Sequence, residues 1–126
     1  MADAATLSIW AEAIRPLFPE NAEVELWPMS NQIRVSWILG KAPRRTKKRS
    51  HPIIIAISRS VYFEYMAADE IAKRGAEYNF ATFVASRLAA YVPERSFAEG
   101  MIPGAFRIFV DSDSMFPMIK SKALAV

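Results

Sequence analysis

Apolar residues recur along this chain with two periods, and the switches between them mark out its elements. Leu7, Trp10, Ile14 and Leu17 lie three and four residues apart, which places them on one stripe of a helix. The spacing predicts a helix from about Asp3 to Leu17, capped by Asp3 and ended by Pro16 and Pro19. The period then drops to two. Ala22, Val24 and Leu26 alternate with Glu23 and Glu25, and after a turn at Pro28 to Asn31 the alternation resumes. There Ile33, Val35, Trp37 and Leu39 face one way and Gln32, Arg34 and Ser36 the other, so the two runs predict a hairpin.

Beyond Gly40 the pattern breaks into a polar basic segment, Lys41 to His51. Pro52 then opens the β-branched run Ile53 to Ile57, apolar on both sides as a strand covered on both faces would be. The basic segment is longer than the two to five residues of a tight hairpin loop and is expected to project into solvent. Ser58 or Ser60 predicts the cap of a helix from about Val61 to Arg74, closed by Gly75. Asn79 predicts the cap of another, to about Val92, with Phe80, Phe83, Val84, Leu88 and Tyr91 as its apolar face and Pro93 as its stop. Pro93 to Ala105 reads as a loop. A last strand follows at Ala105 to Val110, with Phe106, Ile108 and Val110 on one side and Arg107 and Phe109 on the other. The remainder, 111–126, has little periodicity and is expected to be a loosely docked tail.

The predicted order is therefore α-β-β-β-α-α-β. It describes an α+β fold in which a small, mainly antiparallel sheet of about four strands packs against two or three helices. With 126 residues, 52% hydrophobic and 23% charged, the chain has the size and polarity of a single domain, 1–126, and it shows no internal repeat or linker. If the helices cover one sheet face, Trp27, Arg34, Ser36, Ile38, Phe109 and Ile54 are candidates for the other. Large apolar groups there make a homodimer through that face the simplest expectation, with Trp27, Ile38 and Phe109 as the interface. A tail or extra helix folded over the same face is the alternative.

Charge changes the picture more than composition does. The formal net charge is +3, but residues 1–25 carry −4, residues 26–63 carry +8 with no acid at all, and residues 64–126 carry −1. The excess is concentrated in Lys41, Arg44, Arg45, Lys47, Lys48 and Arg49, where each contact with a phosphate would release a condensed counterion. Arg44 and Arg45 are suited to bidentate phosphate contacts and the others to less directional attraction. Arg34 and Arg59, on flanking elements, are expected to extend the field. An anionic membrane surface, an acidic protein or a nuclear import receptor would answer the same cluster.

Little else in the sequence offers chemistry. There is no cysteine, hence no disulfide framework or thiolate site, and His51 is the one histidine, an expected exposed loop residue beside cations that disfavour a metal. Ser50 next to His51 lacks the orienting carboxylate and oxyanion hole of a nucleophilic serine. Asp111 to Ser114 opens like a calcium loop, but Phe116 and Lys122 stand where that loop needs glycine and a bidentate acid. The pairs Glu23 with Glu25 and Asp69 with Glu70 read as solvated surface. Four glycines give no phosphate cradle. Met1 to Ile14 lacks a basic leader, and no apolar run approaches the roughly 20 residues that cross a bilayer, so a cytoplasmic location is expected. The sequence reading is a non-catalytic accessory or regulatory binding protein that needs no cofactor or metal and contacts nucleic-acid backbone or another polyanion through 41–51. Its alternative is an assembly module that uses the sheet face, with the basic segment merely solvated.

Overall fold

The computed structural model describes residues 3–39, 49–92 and 104–116. Among these residues four short strands, β1 (Glu23–Trp27), β2 (Gln32–Ser36), β3 (Ile53–Ile57) and β4 (Phe106–Val110), form one sheet in the order β1-β2-β3-β4. Helices α1 (Ala4–Ile14), α2 (Arg59–Ala67), α3 (Glu70–Leu88) and α4 (Ser112–Met115) complete an α+β fold in the order the periodicity predicts, with α4 added. The first two pairings are antiparallel, with Val24 opposite Val35 and Ile33 opposite Ile55. The third, β3 with β4, is parallel, because α2 and α3 return the chain to the end of the sheet where β3 began.

The core lies between one sheet face and the helices. Leu7, Trp10 and Ile14 of α1, Val61 and Tyr65 of α2, and Ala76, Phe80 and Val84 of α3 meet Ile33, Val35, Ile53, Ile55, Ile57, Ile108 and Val110. Trp10 is its hub, edge-on to Tyr65 at 5.2 Å and tilted against Phe80 at 6.3 Å between ring centroids. Asp3 caps α1 as expected, accepting from the Thr6 amide at 2.7 Å. The chain tightens into a single 3₁₀ turn at Arg15–Leu17, with Pro16 inside it. The hairpin turn at Pro28–Ser30 closes on Asn31 in the left-handed conformation, φ 51°, which asparagine adopts more readily than most residues.

Two helix boundaries differ from the sequence reading. The break falls at Ala68 and Asp69, where the Asp69 carboxylate accepts from the Ala72 amide at 2.8 Å. Gly75 and Asn79 lie inside α3. Glycine costs about 1 kcal/mol in a helix interior, and burying Ala76, Phe80 and Val84 at intervals of four outweighs it. Asn79 does not cap a helix; its Nδ2 donates to the Met115 carbonyl at 3.0 Å. That bond helps seat α4, whose Met115 is fully buried in the core. Of the tail expected to dock loosely, residues 111–116 thus form a capped and anchored turn of helix, while 117–126 lie outside the described residues.

Candidate polyanion-binding surface

Register fixes the composition of the sheet face turned away from the helices. One row across it reads Trp27, Gln32, Ala56, Phe109, and the next reads Glu25, Arg34, Ile54, Arg107. Trp27 and Phe109 are 40% and 69% exposed, whereas Ile54 is buried between its cross-strand neighbours Arg34 and Arg107, whose stems can shield an apolar floor. Beside it lies a shallow cavity of about 220 Å³ lined by Glu23, Glu25, Arg34, Ser36, Pro52 and Ile54. The Arg34 guanidinium sits 3.7 Å from the Trp27 ring centroid and donates twice to the Gln32 carboxamide oxygen, at 3.2 and 3.0 Å. The Trp27 indole in turn donates to Glu25 at 3.1 Å. Trp27, Arg34, Gln32 and Glu25 therefore form one preorganised cluster of cation, aromatic ring and acid.

The basic segment is rooted at the end of β2 and β3. Pairing continues past the strands through a bridge between Ile38 and Arg49. The Ser50 amide donates to the Trp37 carbonyl at 2.7 Å, and the Trp37 amide donates to the Ser50 hydroxyl at 2.9 Å. Lys41, Arg44, Arg45, Lys47 and Lys48 lie outside the described residues, but the points where the chain leaves and re-enters the sheet are neighbours. Ile38, expected at the interface, is only partly exposed and belongs to this root.

Three residues expected to be solvated loop are part of the folded body. His51 is 8% exposed: its ring stacks on Tyr91 and meets Phe106 edge-on. Its Nε2 hydrogen bonds with the Gly104 carbonyl, and its own carbonyl accepts from the Tyr91 hydroxyl. It is buried because residues distant in sequence close over it. Ser50 is buried too, its hydroxyl spent on the backbone of Trp37. Arg49 is half exposed, and its guanidinium is engaged by the Glu23 carboxylate and by the Ser36 hydroxyl at 2.9 Å. Arg49, the one of the six cations among the described residues, is thus paired internally. Arg59 lies at the start of α2, at the end of β3 opposite to the root. Arg34 and Arg107 are the cations that share the open face with Arg49, Arg107 being missed as a site residue because its significance depends on strand order.

Four acids that read as solvated surface or as the opening of a calcium loop have structural work. Glu23 holds Arg49, Glu25 holds the Trp27 indole, Asp69 caps α3, and Asp111 caps α4 through the Ser114 amide at 3.1 Å. Among the described residues no group of three or more potential ligands is arranged to hold a metal ion. Nor, among them, is any helix long and apolar enough to cross a membrane. Comparison with family models, with curated proteins and with solved structures found no match. The functional reading therefore rests on the chemistry of this surface.

Proposed function

We propose that this chain is a non-catalytic binding protein that takes a polyanion, in the first place nucleic-acid backbone, on the segment carrying Lys41, Arg44, Arg45, Lys47 and Lys48. The observation that carries this reading is the paired root at Ile38 and Arg49. It ties an acid-free run of cations to the same sheet that displays Arg34 and Arg107. Phosphates engaged by the segment would lie near guanidinium groups on a rigid face, and the exposed Trp27 and Phe109 rings offer apolar surface to unpaired bases. Attraction would be mainly electrostatic and weakly selective for sequence, since backbone contacts carry no base information.

The test is a salt titration against single-stranded DNA and RNA oligonucleotides. Replacing Lys41, Arg44, Arg45, Lys47 and Lys48 together by serine should reduce affinity and flatten the dependence of log K on log salt, by roughly 0.7 for each lost contact with a single strand. Arg49 is left in place so that its bond to Glu23 is kept. An unchanged slope would rule out the segment as the binding element.

A second reading is favoured by the exposure of Phe109 and Trp27 on the open face: a homodimer closed through that face, with the basic segment solvated. It predicts a dimer in sedimentation that becomes monomeric when Phe109 and Trp27 are both changed to serine.

A further inference from the structure

Among the described residues β4 is an edge strand, and its outer side presents both donors and acceptors to one more partner. The Phe106 amide donates inward to the Pro52 carbonyl at 2.8 Å, and the Val110 carbonyl accepts inward from the Ser58 amide at 2.9 Å. Alternation along a parallel ladder then turns the backbone groups of Phe106, Ile108 and Val110 toward β3. The N–H and C=O of Arg107 and Phe109 point outward, and nothing among the described residues pairs with them.

A groove of about 350 Å³ follows this edge, lined by Arg87 in the last turn of α3, by Ala90 just beyond it, and by Phe106, Arg107, Ile108 and Phe109. Arg87 and Arg107 are exposed and neither has an ion-pair partner among the described residues. We propose that the outer edge of β4 binds an extended acidic peptide by strand addition. Its backbone would pair with Arg107 and Phe109, its carboxylates would meet Arg87 and Arg107, and an apolar side chain would pack beside Phe109.

The chemistry separates this occupant from the others. A phosphate chain only accepts hydrogen bonds, so it could satisfy the two outward amides but not the two outward carbonyls; a peptide strand satisfies both at the two-residue repeat the edge presents. A second copy of β4 would also pair, but it would bring two Arg107 and two Arg87 groups against one another across the junction. An acidic strand turns that repulsion into attraction. The site shares Arg107 with the polyanion reading but needs none of Lys41, Arg44, Arg45, Lys47 and Lys48, so replacing those five tells the two readings apart.

The probe is a fluorescent hexapeptide Glu-Glu-Val-Glu-Glu-Val, which as a strand presents both acids and valine on each face, with Lys-Lys-Val-Lys-Lys-Val as control. Both are titrated by anisotropy into the full chain and into the five-serine variant of the basic segment. Saturable binding of the acidic peptide is expected in both proteins, with none of the basic one. Phe109→Pro removes an outward N–H without touching the β3 ladder, a substitution edge strands tolerate. The double variant R87E/R107E changes only exposed side chains. Each is expected to weaken binding roughly tenfold or more. The proposal is overturned if the acidic peptide fails to bind, if it binds both edge variants as well as the parent, or if only the five-serine change abolishes it. It is overturned equally if Phe109→Pro converts a dimer to a monomer while the acidic peptide leaves that dimer intact, which would make a second copy the occupant.

Discussion

Folding alters the acid–base chemistry of Tyr65. Burial, and then the hydrogen bond its hydroxyl donates to Glu77 at 2.8 Å, push the phenol from 10.0 up to about 12. The fold favours the neutral phenol, so this stabilisation is complete below pH 10 and is lost as the pH rises toward about 12. Tyr65→Phe should therefore remove part of the alkaline loss of stability in that window, and cost about 0.5–1.5 kcal/mol at neutral pH for the missing hydrogen bond. Urea denaturation across a pH series measures both; parallel alkaline declines for the two proteins would contradict it. Asp3 works in the opposite sense. Its carboxylate is held below 3.8 by the Thr6 amide first, then by the hydroxyls of Thr6 and Tyr62. Its contribution is present above pH 3.8 and fades as the pH falls through the lowered value.

The elements carry two further expectations. Gly75 lies exposed in the middle of α3, and a Cβ there would meet nothing within 4 Å. Gly75→Ala should raise stability by about 0.5–1 kcal/mol, visible as a higher melting temperature; a loss would show that the helix does not run through this position. α4 is held from the other side of the fold, by the burial of Met115 and the Asn79 bond. Met115→Ala should cost about 2–5 kcal/mol, far more than a chain end attached only at the surface would lose. The sequence signs for both elements were ambiguous for physical reasons. Gly75 and Asn79 have the chemistry of helix boundaries, and only the packing of Ala76, Phe80 and Val84 against α1 and the sheet decides that the helix continues. One buried methionine in a run without periodicity carries no local signature.

At the scale of the whole molecule, the balance between acids and bases on the open face becomes the controlling quantity. Glu23 occupies a cation that the basic segment would otherwise offer to a polyanion. Glu23→Gln should release Arg49, strengthen oligonucleotide binding and steepen the salt dependence by up to about 0.7 for single strands. Loss of affinity on that change would mean that Arg49 serves the fold and not the ligand. The cluster of charge itself was legible, since all six cations fall within eleven consecutive residues. Which of them the protein keeps for itself was not, because Glu23 and Arg49 are 26 positions apart and become neighbours only when β1 pairs with β2 and the pairing runs on to Ile38. His51 was misread as exposed for the same reason: Tyr91 and Phe106, which cover it, are contributed by a later helix end and the last strand.

The amino-acid order by itself determined the strands, the α1 cap, the hairpin turn, the succession of elements and the existence of a basic hot spot. Each is set by side-chain period or by hydrogen bonds spanning three or four residues, interactions a short stretch of chain can specify alone. Tertiary structure decided the parallel pairing of β3 with β4, the continuity of α3, the burial of His51, the sequestration of Arg49 and the position of β4 as the last of the described strands, beside Arg87. Those depend on which distant segments become neighbours, a choice made by the packing of the whole core that no local pattern contains.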